Sequence, residues 1–196
     1  MKNKTNRTVS IKIAALIAAI VLFIGCTAGG TVAWLVSKPD PITNVFTVGN
    51  INATLTEEAK AFKIVPGVNI TKNPIATVEA NSEECYLFVQ LTEENWPAFT
   101  EADNTTRKVK YEIEDGWIKL ESKDGVYYRV VAKNGTADQA FHVLKNDQVT
   151  VSNTLTKENV DAIAGDPKLT VAVYAVQKEN MGSAADAWET ATAKAN

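Results

Sequence analysis

The side chains best suited to chemistry are few and scattered. One histidine, His142, lies in Gln-Ala-Phe-His-Val-Leu-Lys with Phe141 and Val143 beside it. A catalytic metal needs clustered ligands, and a lone imidazole on a strand face reads as structural. No His-Glu-x-x-His run occurs, so the usual zinc-protease geometry is not available. Cysteine nucleophilic catalysis would need Cys85 and His142 to meet from two strand interiors. Cys85 sits in the apolar run Cys-Tyr-Leu-Phe-Val and reads as a small buried hydrophobe, an intermolecular disulfide being the alternative. The acidic pairs Glu83-Glu84 and Glu93-Glu94 read as solvated strand ends. Asp115 and Asp124 lack the alternate spacing of a calcium loop, and no Gly-rich phosphate loop occurs. No catalytic, cofactor-binding or metal residue is expected, and no cofactor.

The chemistry that the sequence does specify is processing of its own N-terminus. The first twelve residues hold Lys2, Lys4, Arg7 and Lys12 and no acid. An apolar run follows from Ile13 to Ile24, then the small-residue stretch Gly-Cys-Thr-Ala-Gly-Gly-Thr-Val-Ala ending at Ala33. Basic start, short apolar helix and small-residue exit are the three components of a signal peptide. The basic end stays inside while the apolar helix enters the bilayer, so the remainder is carried across. Cleavage is expected between Ala33 and Trp34. Gly25, Gly29 and Gly30 weaken the helix where a peptidase needs extended chain, which disfavours an uncleaved anchor. Ile24-Gly25-Cys26 is a fragment of a lipoprotein signal, making Cys26 a candidate lipidation site, although Phe23 stands where that signal usually has Leu.

The leader carries four of the chain's 20 basic residues and none of its 23 acidic ones. The 163 residues that follow are enough for one domain with a substantial core. Their acidic balance argues against nucleic acid or anionic lipid as the main partner. A membrane partner is expected only through the uncleaved leader. The part after the leader has four Asn-x-Thr sequons, at Asn52, Asn69, Asn104 and Asn134, which read as chance in a Thr- and Asn-rich chain.

These residues sit on a succession of strands. Phe46 to Leu55 alternates, with Gly49-Asn50 predicting a bulge. Cys85 to Leu91 is nearly all apolar, as in a strand buried on both faces. Lys108 to Glu114 puts Val109, Tyr111 and Ile113 on one face. Trp117, Ile118 and Leu120 follow, then Lys123-Asp124-Gly125, a hairpin turn because Asp-Gly supplies positive φ angles. Val126 to Ala132 resumes as a strand, and Asn134-Gly135 predicts a second turn of the same kind. Ala140–Leu144 and Val149–Val151 are strands separated by Lys145-Asn146-Asp147, and Leu169–Val176 is the strongest strand. Helices are predicted from the Thr156 cap to Ile163 and from the Ser183 cap to Trp188. The four tryptophans, 34, 96, 117 and 188, read by default as core or interface packing. The pattern predicts an all-β fold: an antiparallel, jelly-roll-like β-sandwich with one or two short peripheral helices, preceded by the signal helix. The expected division is 1–33 signal peptide, 34–46 extended segment and 47–196 sandwich domain.

Several stretches together resemble the TasA and camelysin family. They are Gly30-Thr31-Val32-Ala33-Trp34, then Asn44-x-Phe46-x-x-Gly49-Asn50-Ile51, then Val65-Pro66-Gly67-Val68-x-Ile70-x-Lys72. Ala175-Val176-Gln177 and Ala184-Ala185-Asp186-Ala187-Trp188 are similar to that family's closing strand and helix. Two departures are the replacement of the family's early Asp by Val36-Ser37-Lys38 and the presence of Pro39 and Pro41. The resemblance implies export from a Gram-positive cell through the SipW signal peptidase, and a secreted structural role at the cell surface or in a biofilm matrix. It also implies fibres in which one subunit's N-terminal segment completes the next subunit's sheet, so the partners are other copies of the chain, head to tail. The candidate assembly segment is Trp34, Leu35, Val36, Pro39, Pro41, Val45 and Phe46. Proline keeps this stretch out of helix and out of the middle of its own sheet. The alternatives are a camelysin-like surface metallopeptidase, for which one histidine is a poor ligand set, and a lipid-anchored binding module.

Ala33→Arg is expected to block processing, because a long charged side chain does not enter a pocket made for small ones. N-terminal sequencing of the extracellular protein checks this. An unchanged mature N-terminus would place the cut elsewhere.

Overall fold

The computed structural model describes residues 44–57, 64–163, 165 and 167–193, all within one compact unit. The expected leader 1–33, Cys26, the Ala33–Trp34 junction and the segment 34–43 lie outside the described residues. The strands run β1 (Asn44–Val48), β2 (Ala53–Thr56), β3 (Ile70–Thr71), β4 (Ile75–Val78), β5 (Cys85–Glu94) and β6 (Val109–Ile113). They continue with β7 (Ile118–Lys119), β8 (Val126–Val131), β9 (Gln139–His142), β10 (Leu144–Val151) and β11 (Lys168–Gln177). The helices are α1 (Lys157–Asp161) and α2 (Ala184–Ala193). The fold is the all-β sandwich that the strand pattern predicts.

The two longest strands form its spine. β5 and β11 pair antiparallel over ten residues each, from Lys168 opposite Glu94 to Gln177 opposite Cys85. Both carry apolar residues on both faces over their central stretches, where both faces are covered. Around them a five-stranded sheet is ordered β1-β11-β5-β8-β7. Cys85, Leu87, Val89 and Leu91 of β5 point to its inner face with Val171, Val173 and Ala175 of β11, and all are buried. Two three-stranded sheets, β3-β10-β6 and β2-β4-β9, make the opposing layer. They contribute Ile70, Ala76, Val78, Val109, Leu144, Val149 and Val151 to the core.

The outer face of the five-stranded sheet has a core of its own. The registers align Phe46, Tyr174, Phe88 and Tyr128 in one row across four strands. α2 lies over a portion of that row. Its Trp188 meets Phe88 edge-on at 5.4 Å and Tyr174 at 4.9 Å. Ser183 starts this helix by accepting the amide of Asp186 on its hydroxyl. α1 starts on a reciprocal box in which Thr156 Oγ1 accepts the Asn159 amide and Asn159 Oδ1 accepts the Thr156 amide. Among the described residues no helix is long and apolar enough to cross a membrane.

Four local expectations change. Phe46–Leu55 is not one bulged strand: β1 and β2 belong to different sheets, separated at Gly49, whose φ is +98°. Asn134-Gly135 is not a positive-φ hairpin turn, because β8 and β9 lie in different layers. The loop between them is instead held by Asn134 Oδ1, which accepts the amides of Thr136 and Ala137. Lys145-Asn146-Asp147 does not break the chain into separate strands but bulges within β10, with Asn146 at φ 55° and Asp147 at φ 52°. β4, a four-residue strand after Pro74, is an addition to the sequence reading.

β7 and β8 form the hairpin that the sequence predicts, but through a longer loop in which Gly125 alone of the Asp-Gly pair has a positive φ, +70°. A Cβ there would stand 2.4 Å from the carbonyl oxygen of Leu91. Gly125→Ala is therefore expected to cost about 2 kcal/mol of stability, from left-handed backbone strain and the clash with β5 together. Urea denaturation measures it, and a loss under about 0.5 kcal/mol would contradict this account of the turn.

Candidate assembly edge

Two residues of the expected assembly segment fall in the described region, and the sheet registers locate them. Val45 and Phe46 lie in β1, where they pair with Val173 and Tyr174. β1 runs parallel to β11, the only parallel pairing among the described strands. It stands at one edge of the five-stranded sheet. The expected boundary between residues 46 and 47 falls inside this strand. Trp34, Leu35, Val36, Pro39 and Pro41 lie outside the described residues, as do the cleavage pair Ala33 and Trp34 and the lipidation candidate Cys26.

β1 is held by its five-residue ladder to β11 and by an aromatic contact on the outer face. Phe46 stacks on Tyr174 with ring centroids 4.9 Å apart and planes 17° from parallel. Tyr174 is in turn fixed by Trp188 and by its hydroxyl, which donates to Gln90 Oε1 at 3.2 Å. Burial raises the Tyr174 phenol above its ordinary value, keeping it a neutral donor. Phe46 is half-buried and packs against the cluster that Tyr174 shares with Trp188. Gly49 closes the strand against Gln177, whose side chain leaves 2.9 Å for a Cβ.

The opposite edge is differently built. β7 has two residues and covers only Tyr127 and Tyr128 of β8. Arg129, Val130 and Val131 therefore have a strand neighbour on the β5 side alone. On the outer face here, Ile118 is 55% exposed and Val130 is 44% exposed, beyond the cover of α2. Tyr86 and Tyr128 are half-buried beside them. Arg129 turns to the inner side, its Cζ 3.9 Å over the ring of Phe141 and 5.2 Å over that of Trp117. Trp117 Nε1 donates to the His142 carbonyl at 2.8 Å, which ties the two layers together at this end.

The side chains weighed for chemistry stand apart. His142 is exposed on β9, its Nδ1 2.7 Å from Asp147. Cys85 is buried, and that burial, helped by the neighbouring Glu84 charge, pushes its thiol up to about 12. Glu93 holds Arg107 through both oxygens at 2.8 Å and accepts the Tyr111 hydroxyl. Glu83 pairs with Lys133 and Glu84 with Lys178. Among the described residues, no group of three or more His, Cys, Asp or Glu could hold a metal ion. A cavity of about 340 Å³ opens between α2 and the 123–125 turn, lined by Gln90, Lys123, Asp124, Tyr174, Trp188 and others. Trp188 is buried there, packed edge-on against Phe88 and Tyr174.

Reading the sequence missed the exposed edge at Ile118 and Arg129–Val131. Val126–Ala132 alternates like any strand, and nothing local in it says where its partner stops.

Phe46→Ala is expected to loosen β1 alone. Amide exchange at Val45–Val48 should quicken by about tenfold or more, the loss of one aromatic contact, while β5 amides keep their protection. Equal loss of protection in both strands would show that β1 is not a separable unit. Comparison of the chain with family models, curated proteins and solved structures finds no significant match.

Proposed function

We propose that this chain is a secreted structural protein of the cell surface or biofilm matrix of a Gram-positive bacterium. After its leader is removed at Ala33, it assembles into fibres by N-terminal strand donation. The observation that carries the reading is where the N-terminal segment joins the domain. Residues 34–43 lead directly into β1, an edge strand, so the segment leaves from the rim of the largest sheet rather than from its interior.

The segment begins with Trp34, Leu35 and Val36, three apolar side chains that are costly to leave in water. An edge strand is where a second chain can extend a sheet, with backbone hydrogen bonds giving affinity and alternate side chains giving specificity. Donor and acceptor are different surfaces of one subunit, so the contact is head to tail and runs on as an open fibre. Before the cut the donor is tethered to the membrane, and processing acts as the trigger. The family resemblance supports the same reading. No specific observation favours peptidase activity over it.

Deleting residues 34–42 is expected to leave a folded monomer that does not polymerise, while the chain from Trp34 to Asn196 forms filaments. Electron microscopy with sedimentation reads the outcome. Filaments of unchanged width from the deleted protein would contradict strand donation.

A further inference from the structure

We infer that the acceptor surface is the open edge at β7 and β8, and that its occupant is the Trp34–Val36 stretch of a second copy of this chain. The inference rests on the strand-donation reading and adds to it the site at which the donated strand lands.

The edge is short and specific. β7 ends its pairing at Ile118 opposite Tyr128, leaving the three residues Arg129, Val130 and Val131 open on that side. Leu120 donates its amide to the Val126 carbonyl, while Leu91 donates to the Gly125 carbonyl on the other side. Backbone groups alternate sides along a strand, so Val126, Tyr128 and Val130 turn theirs toward β7. With β7 absent at that level, the amide and carbonyl of Val130 face outward from the sheet. The side chains on the outer face at this edge are apolar: Ile118 and Val130 are both exposed. Natural sheets usually blunt such an edge with Lys, Pro or a covering loop. Here the only charged side chain of the three-residue stretch, Arg129, packs between Trp117 and Phe141 on the inner side.

The occupant follows from length and route. Trp34-Leu35-Val36 is three apolar residues, and the open stretch is three residues. Aligned on Arg129–Val131 in either direction, Leu35 falls opposite Val130, on the face shared with Ile118. With Trp34–Val36 docked, the seven residues 37–43 link them to β1 and can span about 23 Å when extended. The open edge lies about four strand spacings, roughly 19 Å, from β1 across the same sheet. The direct route within one subunit is closed. α2 covers the outer face over β1, β11 and β5, and the inner face is filled by the opposing layer. A neighbouring subunit placed beside the open edge need not cross either face. β1 at one rim and β8 at the other then make donor and acceptor opposite ends of one sheet, which is the arrangement a head-to-tail fibre requires.

The test uses the mature chain from Trp34 to Asn196. Val130→Pro removes one outward amide while leaving the β5 side of the pairing intact, since proline is tolerated on edges. Circular dichroism and thermal melting confirm that the variant folds. Ile118→Lys keeps the backbone and places a charge on the outer face, and serves as the second variant. Each should raise the critical concentration for filaments at least about tenfold. Normal filaments from both variants, with filaments lost on deleting residues 34–42, would overturn the acceptor edge and leave strand donation standing. Filaments that survive the deletion would overturn both. Mixing Leu35→Cys with Val130→Cys subunits should give an intermolecular disulfide, the native Cys85 being buried. A disulfide formed within one chain carrying both substitutions, or between two Val130→Cys subunits alone, would overturn the assignment in favour of self-capping or of symmetric edge pairing.

Discussion

Everything in this domain depends on the pairing of β5 with β11. Those two strands are the longest in the fold and pair along their full length, from Cys85–Gln177 to Glu94–Lys168. Their central residues are covered on both faces, the inner by the two small sheets and a portion of the outer by α2. At about 25 cal/mol per Å² of apolar surface removed from water, the side chains buried along this pair contribute strongly to stability. The other elements are hung on this pair. β1 and β8 extend it on either side, and the turn at Gly125 is pressed against the Leu91 carbonyl of β5.

The same pair makes the two rims unequal. α2 sits where the aromatic row Phe46, Tyr174, Phe88 needs cover, and Trp188 supplies it. A ten-residue helix about 15 Å long does not reach across five strands at about 4.8 Å spacing. The uncovered remainder is Tyr86, Tyr128, Val130 and Ile118, at the rim where β7 is only two residues long. One rim thus ends in a strand that continues from the N-terminal segment, and the other ends in unfilled backbone. That asymmetry gives the proposed fibre its direction.

Sequence patterning made the spine legible because burial on both faces writes a continuous apolar run, as in Cys85–Leu91 and Leu169–Val176. The caps at Thr156 and Ser183 were legible because they act within three residues. What escaped was non-local. Asn134-Gly135 has the composition of a hairpin turn, yet the chain there changes layers. Lys145–Asp147 has the composition of a break, yet β10 continues through it as a bulge. The parallel pairing of β1 with β11 joins residues 128 apart and leaves no local mark. For the same reason the open edge at Arg129–Val131 is a property of where β7 stops, not of β8 itself.

The central claim is that one subunit's N-terminal segment completes the β8 edge of the next. Cryo-electron microscopy of filaments grown from the chain Trp34–Asn196 tests it most directly. The account predicts a sheet continuous between subunits, with Trp34–Val36 of one lying about 4.8 Å from Arg129–Val131 of its neighbour. A map in which that edge faces solvent, or in which Trp34–Val36 packs within its own subunit, would contradict it.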